Sequence, residues 1–256
     1  MGALGQLECD SIRAHEARVL RWVKANQPDV VALQEIICDD RSFPRRSFSE
    51  LGYRAVVHGQ PGRGGVALLS RLEMRDVMLG VPGAVAPFDE PRLISATIAG
   101  VRVSSIYAPN GRKVGTDAHR FKLAWFELLR HVVASELEDQ DQLILLADLN
   151  ITPTDGHVWD TSRYSNRNLT SGPEQAAYQR LIDIGLVNVV RSHNGEKTLF
   201  TWWNRRGDFY ETDRGWRLDH ALESAPLAGR VSAAYVERFA RAEPGPDHAP
   251  IVITLG

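Results

Sequence analysis

Short apolar runs with no polar face constrain this chain more than any other feature. Val30-Val31-Ala32-Leu33 and Leu143-Ile144-Leu145-Leu146-Ala147 lack the alternation of a half-buried strand. Both of their faces must therefore be covered, as in the central strands of a layered α/β protein. Each run stops on polar side chains, Gln34-Glu35 after the first and Asp148-Leu149-Asn150 after the second. Two buried strands thus deliver acids and amides at their carboxyl ends.

The surrounding pattern supplies helices and further strands. Ile12, His15, Val19, Trp22 and Val23 recur at helical spacing over residues 11–26, and Gln27-Pro28 ends that helix. Strands are predicted at 53–58 and 66–70 around the glycine-rich turn 59–65, and at 93–98 and 101–107 around Ala99-Gly100. The longest amphipathic helix covers residues 118–137, with Phe121, Phe126, Leu129 and Val133 on its apolar face. Residues 151–170 read as a polar loop with a short helix, and 173–185 as a capped helix. Residues 200–203 and 217–222 read as antiparallel neighbours joined by a charged loop, and 251–255 as the last strand. A chain of 256 residues without repeat or linker fits one α/β domain over 1–256, two packed sheets under helices.

Charge and cysteine content narrow the partners. Thirty basic against thirty-two acidic residues leave a formal net charge of −2, so a polyanion must meet a local patch rather than a global field. Cys9 and Cys38 are too few for a disulfide framework and lack zinc-finger spacing, which suits a reducing compartment such as the cytoplasm. No apolar stretch approaches the roughly 20 residues of a membrane span, and no secretion signal is visible. With no coiled coil or repeat, a monomer is the default.

The acids at strand ends carry the chemistry if they cluster: Glu35, Asp148, Asn150, Asp219 and Asp247-His248. Hard cations such as Mg²⁺ take carboxylate, amide and water oxygens, with substrate phosphate filling the remaining positions. His248, with Asp219 to fix its tautomer, would donate to a phosphate oxygen or shuttle a proton. Each residue also has an ordinary reading. Glu35 could be a solvated strand-end acid, and Asp148-Leu149-Asn150 and Asp247-His248-Ala249-Pro250 could be turns.

Seven segments in order set those alternatives in a wider frame: Pro28-Asp29-Val30-Val31-Ala32-Leu33-Gln34-Glu35, Gly64-Gly65-Val66-Ala67-Leu68-Leu69-Ser70, Tyr107-Ala108-Pro109-Asn110-Gly111, Ala147-Asp148-Leu149-Asn150, Phe200-Thr201-Trp202-Trp203, Gly215-Trp216-Arg217-Leu218-Asp219 and Asp247-His248-Ala249-Pro250. Nearly end to end, the chain resembles the exonuclease III/AP endonuclease family of the endonuclease/exonuclease/phosphatase superfamily. The tryptophan-rich segments point to its DNA-repair branch.

The resemblance implies a four-layered α/β sandwich and a Mg²⁺-dependent phosphodiesterase, with Mn²⁺ as a substitute, acting on double-stranded DNA at abasic sites and 3′ ends. It implies metal binding by Glu35, with Asp10, Asp148, Asn150 and Asp247 completing the metal side. Asp148 would orient or deprotonate the attacking water, and Asn150 would hold water or phosphate. Asp219 would pair with His248 on the scissile phosphate, and Tyr107 and Asn110 would flank it as donors. Trp202, Trp216 and Leu218 would wall a pocket for a base-free sugar turned out of the helix, although all the tryptophans could be core, as is expected of Trp203. Arg63, Arg112 and Lys113 would neutralise DNA phosphates or simply be solvated.

The chain departs from the family's pattern twice. Glu8 stands where an amide is expected, after a residue 1–6 segment that makes a poor buried strand, and Ile37 stands where a lysine is common. Local charge falls by two. At 4–8 Å and an effective dielectric of 20, each unit of like charge costs about 2–4 kcal/mol before screening or protonation. The alternative to a repair nuclease is therefore a DNA-binding paralogue with weak or no catalysis, unless Glu8 recruits a second cation or is protonated by its acidic surroundings.

Overall fold

The two apolar runs become inner strands of two six-stranded mixed sheets packed face to face. The computed structural model describes residues 1–195, 199–238 and 246–256. Its strands in chain order are β1 (Ala3–Glu8), β2 (Val30–Gln34), β3 (Arg54–His58), β4 (Val66–Ser70), β5 (Met74–Leu79), β6 (Leu93–Ile98), β7 (Val101–Tyr107), β8 (Leu143–Asp148), β9 (Leu186–Asn188), β10 (Trp202–Trp203), β11 (Gly215–Trp216), β12 (Asp219–Ser224), β13 (Val231–Val236) and β14 (Ile251–Leu255). The helices are α1 (Ile12–Asn26), α2 (Arg45–Ser49), α3 (Asp117–Asp139), α4 (Thr161–Tyr164), α5 (Gly172–Ile182), α6 (Val189–Asn194) and α7 (Ala225–Ala228). One sheet runs β13-β14-β1-β2-β4-β3 and the other β5-β6-β7-β8-β12-β9.

Side-chain alternation explains the lack of a polar face. Val30 and Ala32 of β2 point into the core between the sheets, and Val31 and Leu33 point outward to α1 and α2. In β8, Ile144 and Leu146 join that inner core while Leu143, Leu145 and Ala147 meet α3 and α5. Both faces are buried, so both must be apolar. These are the four layers expected from the sequence. No helix among the described residues is long and apolar enough to cross a membrane.

Two expectations need correction. Residues 1–6 are not a poor strand, because β1 is central, antiparallel to β14 and parallel to β2. Its Gln6 is tolerated in the interior because its amide donates to Gln34 Oε1 at 2.8 Å and to Asp219 Oδ1 at 2.6 Å. Gly5 is required because a Cβ there would overlap the Trp22 ring of α1. Gly5→Ala is expected to destabilise the fold by about 1–3 kcal/mol through overpacking, read as a lowered denaturant midpoint. The second correction concerns Trp202-Trp203, which pairs with Gly215-Trp216 in a separate ribbon. Asp219–Ser224 instead belongs to the second sheet, between β8 and β9.

Candidate active site

Strand direction gathers the polar residues at one end of the sandwich. β1 and β2 are parallel, as are β7 and β8, so their carboxyl ends lie side by side in pairs. Glu8 and Asp10 follow from β1, Glu35 from β2, Tyr107 and Asn110 from β7, and Asp148 and Asn150 from β8. Because β12 is antiparallel to β8, its first residue, Asp219, lies opposite Asp148. The segment before β14 brings Asp247 and His248. It is held by the Trp203 N–H on the Asp247 carbonyl at 3.2 Å and the Ala249 N–H on the Thr201 carbonyl at 2.7 Å.

The result is a cleft of about 450 Å³ lined by acids, amides, Tyr107 and His248. Asp10 (φ 40°), Glu35 (φ 53°) and Asn150 (φ 52°) all adopt the left-handed backbone region that side chains avoid. Strain of this kind concentrates where function requires it.

Hydrogen bonds orient each group. His248 Nδ1 donates to Asp219 Oδ2 at 2.7 Å, which turns Nε2 toward Glu8 Oε2 at 3.6 Å. Asp219 is fixed from behind by the Gln6 amide and by its own N–H on Thr201 Oγ1 at 3.0 Å. Asp148 accepts the Asn150 backbone N–H at 2.9 Å and its side-chain amide at 3.1 Å. The Tyr107 hydroxyl donates to Glu35 Oε2 at 2.8 Å, and Asn110 Nδ2 to Asn150 Oδ1 at 3.1 Å. Beneath the cleft, the buried Lys122 ammonium donates to the carbonyls of Asn150 at 2.7 Å and Asn110 at 3.2 Å, and to Glu174 Oε1. Gly111 packs on the Lys122 stem, where a Cβ would lie 2.7 Å from Cδ.

Burial and charge set the protonation states. Burial, with Asp219 and Glu35, pushes Asp148 up to about 8 against the lowering pull of His248 and the Asn150 N–H. Burial alone would neutralise His248, but Asp219, Glu8 and Asp148 hold it well above its ordinary value, as an imidazolium. Burial, then Glu35 and Asp148, keeps Tyr107 a phenol. Glu8 is raised well above the usual carboxylate range, first by burial and then by Glu35, Asp247 and Asp148, although His248 pulls it down. Its Oε1 accepts the Asp10 N–H at 2.8 Å, and its Oε2 is buried without a hydrogen-bond partner.

Ten of the residues singled out from the sequence line this cleft together: Asp10, Glu35, Tyr107, Asn110, Asp148, Asn150, Trp202, Leu218, Asp247 and His248. Asp219 stands directly behind them. Trp216 does not line the cleft as expected of a pocket wall. It is 5% exposed and packs edge-on behind Trp202, ring centroids 5.0 Å apart, in a cluster with Val158 and Leu218. Trp203 is core, as expected. Arg63 and Arg112 border an adjoining groove that shares Glu35, Tyr107 and Asn110 with the cleft, and Arg63 pairs there with Glu90 at 3.1 Å. Ile37 lines neither cavity.

The metal-side acids are more dispersed than the sequence suggested. Among the described residues, the acidic and imidazole groups whose ligand atoms all fall within 4.8 Å of one another are Glu8, Asp247 and His248. Asp10 is paired with Arg205, which also approaches Asp247 at 3.5 Å. Sequence reasoning missed Arg205, Leu169 and the supporting Gln6 and Lys122, and it named Gln34 only as a polar strand end. Only the polar Gln6 and Gln34 beside apolar neighbours carried any signal, since a buried amide needs a partner.

Residues 6–239 match the model of the Endonuclease/Exonuclease/phosphatase family. The chain is 31% identical to exodeoxyribonuclease III of Haemophilus influenzae over 94% of its own length and 95% of that protein's. Among solved structures, it superposes on a 3′ phosphatase from Neisseria bound to a product DNA hairpin with a TM-score of 0.97 and 30% identity, each chain fully covered. An AP endonuclease from Archaeoglobus fulgidus gives a TM-score of 0.95 and 31% identity, covering 100% of this chain and 99% of that one.

Proposed function

The chain belongs to the exonuclease III/AP endonuclease branch of the endonuclease/exonuclease/phosphatase family, and from that premise we propose that it is a divalent-metal-dependent DNA repair phosphodiesterase. The observation that carries this reading is the Asp219-His248 pair facing Asp148, Asn150 and Glu35 across one acidic cleft walled by Trp202 and Leu218. Its substrates are duplex DNA with abasic sites and DNA 3′ ends, including 3′ phosphates. The 3′ phosphatase, the AP endonuclease and the exodeoxyribonuclease among its relatives support that range.

The donor set fits a hard cation. Asp10, Glu35, Asp148 and Asp247 surround the cleft with Glu8 and Asp219 behind, against Arg205 and His248, and nearly all donors are oxygen. Glu35, Asp10, Asp148, Asn150 and Asp247 would hold Mg²⁺ or, in its place, Mn²⁺. When bound, the ion supplies charge neutralisation at the phosphate. The chain's own groups do the rest. Asp148 orients a water and takes its proton, with its carboxylate aligned by the two Asn150 bonds. His248 Nε2–H, held by Asp219, donates to a nonbridging oxygen where negative charge grows in the transition state. Asn110 adds a donor through its second amide hydrogen, the Tyr107 hydroxyl orients Glu35, and Trp202, Leu169 and Leu218 present an apolar wall that admits a base-free sugar more readily than a full nucleotide.

Two features favour this reading over a catalytically weak DNA-binding paralogue. Burial holds Glu8 toward its neutral form, so the charge penalty expected of it is reduced, and Ile37 lies outside the cleft lining. The decisive assay is incision of a duplex carrying one synthetic abasic site. Cutting is expected with Mg²⁺ and with Mn²⁺ and none in EDTA, and Glu8→Gln should stay within about tenfold of the parent, or 1.4 kcal/mol. Absence of cutting by the parent with either metal, recovered only in Glu8→Gln, would establish the paralogue instead.

A further inference from the structure

A second cavity of about 480 Å³ lies among α5, α6 and the segment following β8, and it shares no lining residue with the catalytic cleft or with the groove beside it. Arg217 is its most buried charged group, only 1% exposed. Among the described residues the guanidinium has neutral hydrogen-bond partners: Nη2 donates to Asn188 Oδ1 at 2.8 Å and Nη1 to His157 Nε2 at 3.4 Å. Nε is buried without a partner. Among the described residues no carboxylate pairs with Arg217, and no acidic residue lines the cavity, whereas Arg191 does.

Of the remaining polar groups, His157 is saturated and Tyr178 suits an anion. His157 accepts from Arg217 through Nε2, so its proton sits on Nδ1 and is donated to Thr154 Oγ1 at 2.8 Å. The Tyr178 oxygen accepts from Asn188 Nδ2 at 2.8 Å, which leaves the phenol proton available for an acceptor. A cation withdrawn from water without a counter-charge is costly, and an arginine fork matches the oxygens of a phosphate. The cavity is several times larger than one phosphate, within the range of small-molecule sites, and Pro153, Ile182 and Val187 give it apolar walls.

We propose that this cavity is a second anion site, taking the phosphate group of a small phosphomonoester on Arg217 independently of the catalytic cleft. The phosphate could arrive as the free ion or as part of a nucleoside monophosphate, with the ring against the apolar wall. Leu218, the next residue, lines the catalytic cleft, so the two sites lie on opposite sides of one short segment.

Isothermal titration of the full chain with inorganic phosphate and with dAMP tests this, in EDTA and with the cleft filled by saturating abasic duplex. One equivalent is expected to bind saturably, with a dissociation constant of about a millimolar or tighter. Tighter binding of dAMP assigns the nucleotide, and equal binding assigns the phosphate alone. Gln179→Glu, an isosteric change at the exposed rim, should weaken binding at least about tenfold, and Arg217→Gln should abolish it. Absence of saturable binding, loss of binding once duplex fills the cleft, or indifference to Gln179→Glu would each overturn the proposal. The readout is binding, so its outcome is separate from whether the protein cuts DNA.

Discussion

Asp148→Asn is expected to lower the rate of abasic-site incision by about 10²–10⁴-fold, the usual contribution of a positioned general base. Substrate binding should change much less, because the variant keeps the shape of the cleft. Stability should respond in the opposite sense. Without metal, burial raises the folded-state pKa of Asp148 from 3.8 to about 8. A group whose pKa is raised on folding favours the fold while protonated, and that contribution is lost as pH climbs through the interval. In EDTA, then, the melting temperature of the parent should fall relative to Asp148→Asn between pH 4 and pH 8. The variant should be the more stable of the two at pH 8. Melting curves that stay parallel across this range would show that Asp148 ionises freely, and unchanged incision would remove it from the chemistry.

Lys122→Met should produce the largest loss of stability. Lys122 and Glu174 are both fully buried and paired, and Glu174 Oε2 also accepts the Ser171 N–H at 3.1 Å in the capping box of α5. Removing the ammonium strands a carboxylate in the interior, at a cost of about 3–5 kcal/mol. For a chain of this length that lowers the melting temperature by about 6–20 °C. Lys122→Met combined with Glu174→Gln should recover much of it, because the buried charge is gone and the cap can persist. Activity should not recover in parallel, since the carbonyls of Asn110 and Asn150 still lack their shared donor. A single variant within 1 kcal/mol of the parent, judged from its denaturant midpoint, would mean that water or a rearranged side chain replaces the ammonium.

The legible parts of this molecule are those with local causes. The runs in β2 and β8 are apolar on both faces because each is covered by a sheet on one side and helices on the other, a condition written into consecutive residues. Their polar endings were legible for the same reason. β1 was not, because Gly5, Gln6 and Glu8 look unfit for a buried strand until their partners are known. Those partners are the Trp22 ring, Gln34 and Asp219, the last 213 residues away. The ribbon of Trp202 and Trp216 was misassigned because strands of two residues carry no period from which to read a register.

By itself, then, the sequence determined that β2 and β8 are buried, which donors stand at their ends and, through ordered motifs, the family. Only the tertiary structure decided which donors meet and in what charge state. It set Arg205 on Asp10, Lys122 beneath two asparagine carbonyls, and Trp216 behind Trp202 rather than in the cleft. Proximity between residues that are not neighbours in the chain, and the solvent each contact excludes, are properties of packed sheets. They shift Asp148 and His248 upward although neither residue's neighbours in the chain differ from those of an ordinary turn.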